Sequence, residues 1–220
     1  MHRLVVFWRS TIGKKVVMAV TGIIGIGFVL AHIAGNLLIF RGAEALNGYS
    51  HMLHGPAAEL LWVARVVLLG SVILHITAAY QLTQVSHAAR PHDYAKRESQ
   101  VSTYASRLMR WGGVLLLVFI IFHILHFTTG TIRPGVFVAG DVYTNVVSSF
   151  RIWWVSLFYM VSIVFLGLHL YHGAWSSVRT IGAASRSPNP LHRRIAMGIA
   201  VIVWLGFTIV PFAVWTGMVG

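Results

Sequence analysis

Five long apolar runs constrain this chain more than anything else in its sequence. They cover roughly 15–40, 57–84, 108–130, 152–178 and 195–217. Each is long enough to cross a hydrocarbon core as one helix, which takes about 20 residues. A backbone in lipid must satisfy its own hydrogen bonds, so the expected fold is an all-α integral membrane bundle of five transmembrane helices. Composition agrees: 57% of the residues are hydrophobic, 10% are charged, and mean hydropathy is +0.75. Pro56, Pro91, Pro134, Pro188 and Pro190 fall in connections or at a helix start, where the missing N–H costs nothing. Only Pro211 lies inside a span, where it predicts a kink. The basic segment before the first run leads into an apolar stretch too long for a signal-peptide core, without a small-x-small cleavage site. A retained first helix is expected, and residues 1–220 read as one transmembrane domain.

The charges set an orientation. There are 17 Lys and Arg against 5 Asp and Glu, a formal net charge of +12. Such a balance would fit a nucleic-acid binder, but here the basic residues sit between apolar spans, so no nucleic-acid partner is expected. Thirteen of the 17 fall on one side: Arg3, Arg9, Lys14, Lys15, Arg90, Lys96, Arg97, Arg107, Arg110, Arg179, Arg186, Arg193 and Arg194. Arg41, Arg65, Arg133 and Arg151 fall on the other. The positive-inside rule then puts the N-terminus in the cytoplasm and the C-terminus outside, in a bacterial cytoplasmic membrane. The acids are Glu44, Glu59, Asp93, Glu98 and Asp141, none deep in a span. A proton pump or ion-coupled transporter usually needs an intramembrane carboxylate, so that class is disfavoured. There is no cysteine, which excludes disulfides, thiolate-ligated zinc and cysteine-bound iron–sulfur clusters in this chain.

Histidine carries the chemistry. Of 12, His2, His51, His54, His87, His92 and His192 are in loops or at ends, and His32, His75, His123, His126, His169 and His172 lie inside spans. A histidine in lipid needs a partner. Counting from helix ends, His32 and His123 share an outer level, and His75 and His169 an inner level about nine residues away, or ~13 Å. Two imidazoles per level on different helices are what bis-histidine ligation of a b-type haem needs, so two haems a few ångströms apart edge to edge are expected. Gly25 and Gly112 return to nearly the same helix faces as His32 and His123, where a porphyrin could lie against the backbone. Ordinary small-residue packing, as in Gly22-x-x-Gly25, accounts for them equally. Arg65 lies at the outer level, where a haem propionate would neutralise it, unless it snorkels to the surface. His126 and His172 follow His123 and His169 by three residues and are either alternative ligands or partners for propionates, a quinone or backbone carbonyls. Trp111, Trp153, Trp154 and Trp175, near span ends, read as an interfacial belt.

These residues resemble the di-haem cytochrome b membrane anchor of the succinate dehydrogenase and fumarate reductase family, in its five-helix, single-anchor form. The resemblance rests on Ala31-His32 followed by Arg41-Gly42-Ala43-Glu44-Ala45, Leu74-His75 with Tyr80, Arg110-Trp111-Gly112-Gly113 with Phe122-His123, and Leu168-His169 followed by Gly173-Ala174-Trp175. It implies His32, His75, His123 and His169 as ligands, the first paired with the third and the second with the fourth. It also implies partners at the cytoplasmic face: a flavoprotein carrying FAD and an iron–sulfur subunit, feeding electrons through the haems to a quinone, usually menaquinone. A higher oligomer of that complex is open. For the quinone, two groups of residues stand as candidates, Glu59, His51 and His54 at the outer end, and Ser10, Arg9 and Lys14 at the cytoplasmic end. The other readings are a cytochrome b subunit of a hydrogenase or formate dehydrogenase, which the Arg-Gly-Ala-Glu-Ala loop disfavours, and a haem-free transporter or structural anchor.

Overall fold

The first span begins where Ser10 caps it. The Ser10 hydroxyl accepts from Gly13 N–H at 2.9 Å and donates to the Phe7 carbonyl at 2.8 Å. This closes the corner between a short N-terminal helix, α1 (His2–Arg9), and α2 (Thr11–Asn36). A Cβ on Gly13 would overlap the Phe7 carbonyl, so the corner needs glycine. The computed structural model describes residues 2–89, 104–182 and 190–220. Arg90, Pro91, His92, Asp93, Lys96, Arg97, Glu98, Arg186 and Pro188 lie outside the described residues.

After α2, a 3-10 turn (Leu37–Arg41) leads into α3 (Ala43–His54). Gly42 joins them at φ 91°, a conformation that side chains resist, which gives the Arg-Gly-Ala-Glu-Ala stretch a physical meaning: its glycine is a corner. The remaining elements are α4 (Ala58–Ala88), α5 (Tyr104–His123), a π-helical extension of α5 (Ile124–Thr128), α6 (Val142–Phe150), α7 (Trp153–Thr180) and α8 (Pro190–Trp215). Among the described residues, five helices are long and apolar enough to cross a membrane, as expected from the sequence. Pro190 opens α8 and Pro211 lies within it.

Successive spans run antiparallel. At one end, which we call the basic end, Arg110 on α5 donates to His87 on α4 at 2.7 Å, and Arg193 on α8 lies over Trp175 on α7 at 4.7 Å. At the other, α3 and α6 form a cap that the spans alone do not foreshadow. Its apolar side joins Leu46, Val146, Val147 and Phe150 to Val155 of α7 and Val214 of α8. Asn47 ties the cap together: its amide donates to Asp141 at 2.9 Å, and its carbonyl oxygen accepts from Tyr143 N–H at 2.9 Å.

Asp141 is also the N-cap of α6, accepting from Thr144 N–H at 3.0 Å and from the Thr144 hydroxyl at 2.6 Å. The Thr144 hydroxyl and N–H, then the Asn47 amide, hold its carboxyl below the usual carboxylate range. A lowered folded pKa means the carboxylate stabilises the cap fully above its ordinary pKa, near 3.9, and that this contribution fades as pH falls through the lowered value. Asp141→Ala is therefore expected to cost about 0.5–2 kcal/mol, the usual worth of an N-cap, at neutral pH. Thermal melts of both proteins should converge as the buffer is made strongly acidic. A constant gap down to the lowest pH would disprove the assignment.

The helix packing is uneven, and this is what positions the site. α7 is the axis: it packs closely on α8, α5 and α2, while α4 leans on α2. Small residues allow the close approaches, as where Gly167 meets the Ala200 carbonyl and Trp204 Cβ, each at 3.7 Å from its notional Cβ. Between α2 and α5, and between α4 and α7, the described residues make no packing of comparable extent. The bundle therefore has two slots, one on each side of the α2–α7 contact.

Candidate functional site

Each slot contains a pair of facing imidazoles. Across α2 and α5, His32 and His123 stand with ring centroids 5.9 Å apart and planes at 84°. Across α4 and α7, His75 and His169 stand 6.1 Å apart at 53°. All four rings are half-buried. A ligating imidazole nitrogen lies about 2 Å from its metal and about 1 Å from its own ring centre, so two imidazoles on opposite sides of one metal stand about 6 Å apart. Both pairs match that spacing. Among the described residues no group of three or more His, Cys, Asp or Glu could hold a metal ion. Two protein nitrogens per slot suit a metal that brings its remaining ligands with it, as haem iron does.

The depth of the two pairs is set by their neighbours. The Thr21 hydroxyl on α2 lies 3.1 Å from His75 Nδ1, so Thr21 marks the level of the His75–His169 pair, eleven residues before His32. The Tyr159 hydroxyl on α7 lies 3.4 Å from His123 Nδ1 and marks the level of the other pair, ten residues before His169. Both counts put the tiers ~15 Å apart along the helices, slightly more than helix ends imply. The His32–His123 tier lies toward the cap and the His75–His169 tier toward the basic end.

The surroundings fit a flat aromatic macrocycle. In the capped tier, His32 stacks on Phe28 at 5.3 Å and 14°, and His123 touches Phe119 and Phe127 at 5.8 and 5.7 Å. At the other tier Gly112 is buried beside Phe165 and lines a shallow cleft with His169, so the glycine on α5 belongs to this level rather than to that of His123. A Cβ on Gly25 would meet nothing within 4 Å. The Thr21 hydroxyl already donates to the Val17 carbonyl at 2.8 Å, so it accepts from His75 Nδ1–H and leaves Nε2 for a metal. His169 Nδ1 is buried without a hydrogen-bond partner among the described residues, a state that calls for a bound group.

The two remaining intramembrane histidines differ. His126 is buried, 2% exposed, and both ring nitrogens are engaged: Nδ1 with the Tyr159 hydroxyl and Nε2 with the Ser149 hydroxyl, each at 2.9 Å. The π-helical turn after His123 puts it there, because an added residue per turn swings His126 away from the slot and toward α6 and α7. His172 is half-buried, edge-on to Trp175 at 6.2 Å and outside both facing pairs.

The polar residues at the ends are exposed, except Arg65 and Lys14, which are half-buried. The Arg65 guanidinium donates to His54 Nε2 at 3.4 Å and lies over Trp62 at 5.0 Å, at the rim of the capped tier. His54 Nδ1 donates to the Ser50 carbonyl at 2.9 Å. Glu59 and His51 sit on the same end, exposed. At the basic end the Ser10 hydroxyl is used in capping, and the Arg9 carbonyl accepts from Lys14 Nζ at 2.9 Å. Trp111 and Trp153 stand 78% and 62% exposed near helix ends, as lipid-interface residues do.

Comparison with known proteins finds a relative of similar length. The succinate dehydrogenase cytochrome b558 subunit of Bacillus subtilis (strain 168) is 24% identical over 190 residues, covering 86% of this chain and 88% of that protein. The resemblance read from the residues stands: this chain is similar along most of its length to a protein named as a succinate dehydrogenase cytochrome b subunit. Among the described residues this chain has five helices long and apolar enough to cross a membrane. No family model matches the chain, and no solved structure does.

Proposed function

We propose that this chain is the membrane-anchor cytochrome b subunit of a succinate:quinone oxidoreductase and holds two b haems. His32 and His123 ligate one at the capped end, and His75 and His169 ligate the other toward the basic end. The observation that carries the reading is the pair of slots, each spanned by two imidazoles at the separation one iron requires. Bound there, each haem supplies a one-electron centre.

The protein's own contribution is position and environment. Thr21 fixes the His75 tautomer, and Phe28, Phe119 and Phe127 keep the capped tier apolar. Arg65, with His54 beside it, is placed to meet a propionate at the rim. The basic end faces the cytoplasm and docks an iron–sulfur subunit that carries electrons from a flavoprotein with FAD; its cationic surface suits an acidic partner. Electrons run from there toward the capped end and a quinone, menaquinone by the family resemblance. Between the two candidate quinone positions, the capped end with Glu59, His51 and His54 is favoured, because the Ser10 hydroxyl at the basic end is used in a helix cap.

The test is a reduced-minus-oxidised spectrum and a haem assay on the purified chain, followed by identification of what co-purifies with it. Two b-type components and two haems per chain are expected, with a flavoprotein and an iron–sulfur protein retained. A haem-free chain would overturn the proposal.

A further inference from the structure

Tyr159 is not a ligand in the reading above, yet it lies at the centre of a buried chain of polar groups. The Tyr159 hydroxyl is 3.4 Å from His123 Nδ1 and 2.9 Å from His126 Nδ1, and His126 Nε2 is 2.9 Å from the Ser149 hydroxyl. Tyr159, His126 and Ser149 are 4%, 2% and 2% exposed, so water does not compete for these bonds. The chain crosses three elements: α5 with its π-helical turn, α7, and the cap helix α6.

We propose that Tyr159 is a positioning residue for the capped-tier haem, holding its ligand His123 in one tautomer and lowering that haem's potential. The inference rests on the ligation reading above. If His123 binds iron through Nε2, its proton is on Nδ1, and Nδ1–H donates to the Tyr159 oxygen. A phenol has one proton, and Tyr159 gives it to His126 Nδ1. His126 must then carry its own proton on Nε2 and donate to Ser149. Ligation at one end thus fixes every donor along the chain. His126 is needed because its Nδ1 accepts the phenol's hydrogen bond and leaves the Tyr159 oxygen free to accept from His123. Such a bond makes the ligating imidazole more basic, and a more basic ligand favours the oxidised iron. The His75–His169 tier has a different arrangement: Thr21 serves His75, and His169 Nδ1 has no partner among the described residues. The two haems are therefore expected to respond separately.

The experiment is a redox titration of both haems in the whole complex, on wild type, Tyr159→Phe and His126→Phe. Tyr159→Phe keeps the ring and removes only the hydroxyl. It should raise the potential of the capped-tier haem by the equivalent of a threefold to tenfold change in oxidised-to-reduced ratio, about 30–59 mV at 59 mV per tenfold. The other haem should not move. His126→Phe, with Tyr159 intact, should shift the same haem in the same direction by less. Two bound haems with unchanged potentials in both variants would overturn the role given to Tyr159 and leave the ligation reading standing. A wild-type complex without haem would overturn the ligation reading itself. Should Tyr159→Phe fail to assemble, the His126→Phe titration alone decides.

Discussion

His75→Ala and His169→Ala are each expected to lose the same haem, the one nearer the basic end, and to keep the other. The argument is geometric. The two rings face across the α4–α7 slot at 6.1 Å, and the described residues offer no third ligand there. A haem held by these two imidazoles would lose its site with either of them, because no other ligand among the described residues could replace the lost bond. Haem content per chain should fall by half in both variants, with the same spectral component missing from each. His32→Ala and His123→Ala should remove the complementary component. Variants at His75 and His169 that lost different components would show that the pairing is wrong, whatever the total haem content. His172 is the internal control: it is near His169 in sequence but outside the facing pair, so His172→Ala should keep both components.

Much of this geometry was legible in the sequence because membrane physics is simple. A span needs length and apolarity, and both can be read along the chain. Counting residues from helix ends then matches His32 with His123 and His75 with His169, the rings the structure brings together. What was not legible depends on tertiary partners. α6 is nine residues long, too short to be read as a span, and forms only because Asp141 caps it and the ends of α7 and α8 bury its apolar side. Gly112 is at the level of His169 and not of His123, because helix periodicity gives a face and not a depth. The choice between His123 and His126 was open for the same reason. Nothing in Phe122-His123-Ile124-Leu125-His126 marks a π-helical turn, which is held by Tyr159 and Ser149 from elsewhere in the chain.

That turn makes His126→Ala the second large effect, on stability and not on haem content. The His126 ring is buried, stacked on Phe127 at 4.0 Å, and bonded at both nitrogens. Truncation would leave the Tyr159 and Ser149 hydroxyls buried without their partner, at about 1–3 kcal/mol each, and open a void between α5, α6 and α7. A loss on the order of 3 kcal/mol is expected, lowering the melting temperature by roughly 10 °C for a chain of this size. Both haems should remain, since a ring whose two nitrogens already serve Tyr159 and Ser149 has none left for iron. A melting curve and a haem assay on the same sample separate the two roles. A variant that melts like the wild type but carries half the haem would make His126 the ligand and His123 its support. The proton order from Nδ1 of the ligand through Tyr159 would then have to be redrawn from the other end.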